Sequence, residues 1–371
     1  MKQTLKRTLV SLFSGMGGLD EGLHAAGFEP VFCCELDVHA RGSLKRWAAL
    51  REVTPHIAED VTAVDPLALR ESLGLDLGEL DLLAGGPPCQ AFSLIGKRRS
   101  LADPRGALVF EMVRYAAAFL PRAVLIEQVK GFRSAPDAGG VRGGAMNALI
   151  TDLEALGYHV EVSVLRASHH GVAQNRDRVF LVGTRGMAPF VFPAPTHRVP
   201  EGEGRLPIHR TLRDVLADLP SPGIKGGTPP VPNHVDVTPA RDRERIHGVP
   251  EGAHLAGQLQ LPESQRMRLN PKKDTTKFRR LSWDAPSLTL RGGEAFYHPT
   301  EDRYITPREA MRIHGFTDDH VLEGPIRGRT GTVRDLDQHR QVANSVPPPL
   351  AQALGEALVS CLIAADGGVT K

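Results

Sequence analysis

The chain has 371 residues, which is enough for about two domains with a sizeable hydrophobic core. Its formal net charge is only +2, from 45 Lys and Arg against 43 Asp and Glu, so a nucleic acid would have to be bound by a local surface. No apolar run reaches the roughly 18 residues of a membrane span, and the four cysteines have neither zinc-site spacing nor the pattern of a small secreted domain. The composition predicts a cytoplasmic protein without a membrane segment or a metal site.

Short apolar runs alternate with longer helical patterns through the first half of the chain. The predicted strands cover residues 8–13, 30–36, 80–86, 123–129, 159–165 and 178–184. Several of them are separated by stretches long enough to form crossover helices. This alternation predicts an α/β fold with a largely parallel, Rossmann-like sheet that carries helices on both faces.

The composition changes near residue 187, where a stretch rich in Pro and Gly begins. We therefore expect a catalytic, cofactor-binding domain over 1–185 and a smaller, loop-rich domain over 186–278. The remainder, 279–371, ends in an apolar helical pattern that follows three prolines. That C-terminal helix is expected to return to the first domain.

The first predicted strand leads into a glycine-rich turn and then a helix, in the segment LFSGMGG at 12–18. Glycines at such a turn let the backbone approach a ligand, and the helix N-terminus adds amide donors. Glu35 ends the next strand, about 20 residues on, where a carboxylate can accept hydrogen bonds from ribose hydroxyls. The pattern predicts a nucleoside-bearing cofactor. The phosphate-binding G-x-G-x-x-G spacing is absent, so a glycine turn without a ligand is the alternative interpretation.

Cys89 follows the strand at 80–86 in the segment GGPPCQ, at the sheet edge where open α/β proteins bind ligands. Two prolines before it restrict the backbone, which suits a nucleophile that must be aimed. Cys33, Cys34 and Cys361 lie in apolar runs and are interpreted as small buried side chains.

Three charged residues are expected at the same sheet edge as Cys89. Glu127 ends the strand at 123–129, where a carboxyl can act as an acid or hold a ring nitrogen. Arg176 and Arg178 precede the last strand and are two residues apart, so they point to one side of an extended chain. The alternative for both arginines is a solvated or ion-paired strand edge.

The order of these motifs resembles that of the DNA (cytosine-5)-methyltransferases over nearly the whole chain. The resemblance is carried by LFSGMGG, Glu35, Asp60, GGPPCQ, EQV at 127–129, QNRDR at 174–178 and QVANSVPPPL at 341–350. It implies a methyltransferase that takes S-adenosylmethionine as cofactor and a cytosine flipped out of duplex DNA as substrate. In that chemistry Cys89 adds to cytosine carbon 6, Glu127 serves ring nitrogen 3, and Arg178, with Arg176 beside it, steadies the base and its flanking phosphate.

The same resemblance implies where the cofactor binds. Phe13 would pack on the adenine, Glu35 would bind the ribose, and Asp60 would meet the adenine amino group. The full set implied for the cofactor is Phe13, Ser14, Gly15, Gly17, Gly18, Glu35, Leu36, Asp60, Val61, Pro87, Asn344 and Ser345.

Three positions depart from the family pattern. Gln128 and Ala343 stand where the family commonly has Asn and Gly, and Ser11 stands where an acidic or amide residue is frequent. Gln128 matters most, because one extra methylene beside Glu127 can shift the loop that carries Cys89.

Residues 186–278 lie where the family has its target-recognition region. Over 241–280 the chain has ten Arg or Lys against five acidic residues, an excess that suits phosphate contacts, although a solvated surface has the same appearance. We expect a monomer that binds double-stranded DNA in the nucleoid, with any cognate restriction endonuclease acting separately. Two alternatives stay open: a tRNA cytosine-5 methyltransferase, and a catalytically silent DNA-binding relative.

Overall fold

The computed structural model describes residues 7–88, 108–137, 139–200, 202, 204–254, 279–294, 296–327 and 335–367. The chain divides into two compact units that interleave along the sequence. The first unit comprises Met1–Arg166, Asp177–Pro195 and Val346–Lys371, and the second comprises Ala167–Arg176 and Thr196–Ser345. The functional division at residues 186 and 279 stays a prediction, and the compact units change at other residues.

A seven-stranded sheet forms the centre of the first unit. Its strands are β1 (Arg7–Leu12), β2 (Phe28–Cys34), β3 (His56–Ala58), β4 (Leu82–Gly85), β5 (Ala123–Gln128), β6 (Tyr158–Arg166) and β8 (Asp177–Arg185), while β7 (Gln174–Asn175) belongs to the second unit. The spatial order is β3-β2-β1-β4-β5-β8-β6. The six predicted strands are confirmed, and β3 is an addition.

Parallel pairing extends from β3 to β5, whereas β8 runs antiparallel to both β5 and β6. Because β8 is reversed, its first residues lie at the same sheet edge as the carboxyl ends of β1, β2, β4 and β5. This reversal places Arg178 beside the end of β5. The predicted α/β sheet, largely parallel, is confirmed.

Helices follow most of the strands in the first unit. They are α1 (Gly18–Ala25), α2 (Val38–Leu50), α3 (Pro66–Ser72), α4 (Glu111–Phe119) and α5 (Gly144–Ala155). The second unit contains α6 (Leu212–Leu216), α7 (Ala240–Ile246), α8 (Pro307–His314) and α9 (Gln338–Asn344), and α10 (Pro348–Gly367) belongs to the first unit again. Side-chain caps fix the start of α2 and α3, where Asp37 and Asp65 accept hydrogen bonds from the first-turn amides.

Helix α10 packs closely on α1 through small residues. A Cβ atom at Gly355 would lie 2.6 Å from the Ala26 Cβ, so the glycine is what allows the two helices to approach. Within the described residues, Gln338–Gly367 is the one segment that is long and apolar enough to cross a membrane, judged by its length and composition alone. Leu350, Leu354 and Leu358 on α10 are fully buried, as expected of a core helix.

The described part of the second unit has short strands and helices, and buried polar contacts help to hold it together. Its short strands are β7, which pairs with β11 (Ser287–Leu288), and β9 (Gly223–Ile224), which pairs with β10 (Val235–Asp236). Arg303 and Glu309 form a buried ion pair with an Nη2–Oε1 distance of 2.7 Å. Arg308 is also buried and donates to the backbone carbonyls of Pro232, Thr317 and His320. These guanidinium groups satisfy loop carbonyls that no strand partner reaches.

Candidate active site

The glycine turn after β1 has backbone conformations that favour glycine. Gly15 and Gly17 have φ angles of +59° and +90°, and Phe13 also lies in the left-handed region at +57°. The turn is closed by a hydrogen bond of 3.0 Å from the Gly17 amide to the Ser14 carbonyl. Among the residues that the structure describes, none has an atom within 4 Å of a Cβ built on Gly15, so they leave room for a ligand on this side of the turn.

Glu35 is held in place at the end of β2 by two backbone amides. Its Oε2 accepts a hydrogen bond of 2.7 Å from Gly15, and its Oε1 accepts one of 2.8 Å from Asp37. Burial raises the pKa of Glu35, and these two hydrogen bonds act in the opposite direction. Each carboxylate oxygen keeps a second lone pair, which is the acceptor set that two vicinal ribose hydroxyls require. The turn and Glu35 therefore fit an adenosyl group.

Three further residues of the first unit are predicted to bind the cofactor, and they follow the strands β2 and β3 in the sequence: Leu36, Asp60 and Val61. The Leu36 carbonyl accepts from Arg41, and the buried Val61 offers its carbonyl to Arg114 and Tyr115. Asp60 uses one carboxylate oxygen to accept from the amide and hydroxyl of Thr62. These contacts fix the backbone around the predicted adenine position.

Glu127 and Arg178 form a partly buried ion pair at the sheet edge. The distance from Arg178 Nε to Glu127 Oε1 is 2.7 Å, and the two side chains are 13% and 10% exposed. The other carboxylate oxygen, Oε2, lies 3.4 Å from the position of a Cβ built on Gly86. The carboxylate is thus held on one side by the guanidinium, while its other oxygen lies near Gly86.

Gln128 ties the end of β5 to the segment that leads to Cys89. Its side-chain amide donates a 3.0 Å hydrogen bond to the Pro87 carbonyl, and the side chain is fully buried. Its Oε1 atom has no hydrogen-bond partner among the residues that the structure describes. The longer amide therefore reaches the proline backbone. Cys89 itself lies outside the described residues, as does the rest of 89–107.

Arg176 lies in the second unit, where its guanidinium donates hydrogen bonds to backbone carbonyls. Its Nη2 donates to the carbonyls of Ala343 and Ser345 at 2.8 and 2.9 Å, and the side chain is 1% exposed. Asn344 is exposed and Ser345 is buried, and both belong to this second unit. The structure therefore separates Arg176 from Arg178, which the sequence analysis treated together. The predicted roles of these residues stay predictions.

Sequence reasoning missed one buried acidic residue beside the turn. Asp20, in the first turn of α1, is fully buried, and its Oδ1 accepts a hydrogen bond from the Cys33 thiol at 3.7 Å. Cys33 is buried as predicted, but its thiol also serves as a donor. The sequence position alone could have indicated a buried acid, because Asp20 lies in the first turn of a helix and a helix that covers a sheet buries one of its sides.

The first unit has a Rossmann-like α/β fold, and solved structures share this architecture. A DNA modification methyltransferase encoded within an Escherichia coli prophage aligns with a TM-score of 0.71 over 96% of this chain and 99% of its own, at 22% identity. The chain belongs to the C-5 cytosine-specific DNA methylase family, whose profile matches residues 7–360.

Curated relatives agree with this assignment. The Type II methyltransferase M.PspPI of Psychrobacter sp. is 35% identical over 98% of this chain and 81% of its own length. The Type II methyltransferase M.Eco47II of Escherichia coli is 33% identical over 96% and 79%. The chain is a DNA cytosine-5 methyltransferase.

Proposed function

We propose that this enzyme methylates carbon 5 of a cytosine flipped out of a short duplex DNA sequence, with Cys89 as the covalent nucleophile. The observation that carries the proposal is the Glu127–Arg178 ion pair near Gly86, three residues before Cys89 in the sequence. A carboxyl held at this edge is suited to serve the ring nitrogen of a base that Cys89 attacks. We expect the enzyme to act as a monomer and separately from any restriction endonuclease.

S-adenosylmethionine would be held by Phe13, Gly15, Glu35 and Asp60, which all belong to the first unit. When bound, it supplies an electrophilic methyl group on a sulfonium. The open side of Gly15 and the amide-anchored Glu35 support this assignment.

Cytosine carbon 5 is a weak nucleophile, which explains the need for a thiol. The Cys89 thiolate adds to carbon 6, and the electron pair of the 5,6 double bond becomes available at carbon 5 as in an enamine. Glu127 holds a proton at ring nitrogen 3 and so limits the negative charge that develops on the ring. After carbon 5 is methylated, its proton passes to water, the electron pair of the carbon–hydrogen bond restores the 5,6 double bond, and the carbon–sulfur bond breaks to release the Cys89 thiolate.

Arg178 acts in this proposal by orienting Glu127. Its Nε–H holds one carboxylate oxygen, and its Nη1 donates to the Asp177 carbonyl at 2.9 Å. A guanidinium fixed at two points keeps the carboxyl from rotating, which leaves Oε2 as the oxygen that serves the base. Arg176, enclosed by carbonyls, is proposed to position the second unit's own backbone instead of the base.

DNA recognition is proposed for the region 186–278, of which 255–278 lies outside the described residues. Within the described part of the basic stretch, Arg243 pairs with Asp236, Arg245 pairs with Asp242, and Arg280 is buried against Asp302. Arg241 lies 3.6 Å from Asp242, and because its side chain is 77% exposed it is the most available of these four for phosphate.

Covalent trapping on 5-fluorocytosine DNA tests the proposal, because fluorine cannot leave carbon 5 as a proton does. Duplex DNA and tRNA carrying 5-fluorocytosine would be incubated with S-adenosylmethionine and the purified enzyme. We expect a denaturation-resistant adduct on duplex DNA with wild type and with the control Cys361→Ala, and none with Cys89→Ala. An adduct on tRNA alone would support the RNA-directed alternative. DNA binding without any adduct would support the silent relative.

A further inference from the structure

A buried polar cluster lies at the glycine turn, and the proposed chemistry assigns no role to its carboxyl or its thiol. It contains the Asp20 carboxyl, the Cys33 thiol and the hydroxyls of Ser11 and Ser14, which are 2.9 Å apart. Ser11 and Cys33 are register partners on β1 and β2, so their side chains share one face of the sheet. The cluster therefore joins both strands, the turn and α1.

Asp20 is the charged member of this cluster, and no counter-charge is paired with it among the residues that the structure describes. Its side chain is 0% exposed, and its Oδ2 has no hydrogen-bond partner within the described residues. No Lys or Arg in the described parts of the chain forms an ion pair with it. Burial raises the pKa of Asp20 to about 6, so the carboxyl is mostly ionised at neutral pH. A buried anion of this kind is costly unless a cation comes near it.

Asp20 is linked to the glycine turn through Ser11, whose hydroxyl contacts both the Ser14 hydroxyl and the Asp20 carboxyl. Asp20 follows Gly17 by three residues, and the Gly17 amide closes the turn on Ser14. The positive end of the α1 dipole offsets part of the cost of the anion, but the raised pKa shows that desolvation exceeds this and the other favourable interactions. A cationic ligand on the turn would supply the missing counter-charge.

We propose that the Asp20 carboxylate makes the enzyme prefer the sulfonium-bearing methyl donor over its uncharged thioether product. This inference rests on the proposed function, because it takes S-adenosylmethionine as the ligand of the turn. Methyl transfer removes the positive charge from sulfur, so a fixed anion nearby stabilises the donor and gives little to S-adenosylhomocysteine. The product then dissociates more readily than the donor.

The test is a pair of calorimetric titrations, with S-adenosylmethionine and with S-adenosylhomocysteine, on the full-length protein. Asp20→Asn keeps the shape and removes the charge. We expect its Kd for S-adenosylmethionine to rise about tenfold, while its Kd for S-adenosylhomocysteine changes less than about twofold. Glu21→Gln is the matched control, since Glu21 is adjacent but already paired with Arg51 at 2.6 Å. Its ratio of the two Kd values should equal that of wild type.

Equal weakening of both ligands in Asp20→Asn would show a merely structural role and overturn the inference, as would no change in either. If Asp20→Asn does not fold by circular dichroism, Asp20→Ser is subjected to the same two titrations and judged by the same ratio. Wild-type protein that binds neither ligand would overturn the proposed function as well, so the two failures are distinguishable.

Discussion

At the scale of single residues, the ion pair of Glu127 and Arg178 should matter more for turnover than for DNA binding. We expect Glu127→Gln to lower kcat by about a hundredfold or more, because the neutral amide cannot hold a proton for the base. The Kd for duplex DNA should change little. Single-turnover methylation and a DNA-binding titration measure the two effects.

The neighbouring surface pair supplies the control for Glu127. Arg166 pairs with Asp177 at 2.7 Å but does not contact Glu127, so Arg166→Gln should leave kcat within about twofold of wild type. Equal losses of binding and turnover in Glu127→Gln would indicate that the carboxyl only stabilises the fold.

Gln128 has a different consequence, since it acts through the backbone that leads to Cys89. Gln128→Leu removes the buried hydrogen bond to the Pro87 carbonyl, and we expect methyl transfer to slow about tenfold. Gln128→Asn restores the family residue and should change the rate while the target sequence stays the same. Single-turnover kinetics and target mapping of the variants check this, and a new target sequence would show that the division between catalytic and recognition regions is wrong.

Asp20 should make stability depend on pH. Its folded-state pKa of about 6 lies above the unfolded value of 3.8, so the native state binds a proton that the unfolded state has lost, and stability falls as pH rises through this window. The amide of the Asp20→Asn variant does not titrate, so the variant does not have this pH-dependent contribution to stability. Relative to wild type, its free energy of unfolding should rise by about 2 kcal/mol from about pH 4.5 to about pH 7.5. Denaturant unfolding at both pH values tests this, and a pH-independent difference contradicts it.

At the scale of elements, the close contact between α1 and α10 depends on Gly355, which has no side chain. Gly355→Leu places atoms where Ala26 and Leu23 already lie, so we expect a loss of about 2 kcal/mol in stability and a lower Tm. Ser360→Leu on the same helix, at an exposed position, is the control and should leave Tm nearly unchanged. Thermal unfolding followed by circular dichroism compares them, and equal Tm values for the two variants would argue against close helix packing.

The strands show how far periodicity carries a prediction. Leu82–Gly85 is apolar throughout, and Ala123–Gln128 begins with four apolar residues, so the sequence identifies both buried strands directly. The strand His56–Ala58 has only three residues, none of them fully buried, so it has no comparable apolar signal. The antiparallel direction of Asp177–Arg185 depends on tertiary pairing, which a local pattern does not contain.

The residues of the candidate site also divide into those that a sequence motif indicates and those whose surroundings only the tertiary structure shows. Glu35 and Glu127 were found because each ends a strand in a motif with a chemical reason for an acid. Asp20 was missed because its importance comes from complete burial against Cys33, a tertiary fact. Arg176 was grouped with Arg178 by spacing, although its guanidinium binds carbonyls distant in sequence.

At the scale of the whole molecule, one unit is assembled from three separated stretches of chain. The segment Val346–Lys371 belongs with the N-terminal sheet, and the second unit occupies the sequence between. The apolar pattern after the three prolines predicted the helix itself. Its close contact with α1 depends on Gly355, whose role becomes visible only when the two helices are in place.

The central claim is that this chain places a methyl group on carbon 5 of cytosine in DNA. Enzymatic conversion sequencing of DNA from cells that express wild type or Cys89→Ala tests it most directly, because it reports modification and target together. We expect 5-methylcytosine at one short sequence in the DNA of cells that express wild type, and none in cells that express Cys89→Ala. Unmodified cytosine throughout the DNA of cells that express folded wild type, or equal methylation by both proteins, would contradict it.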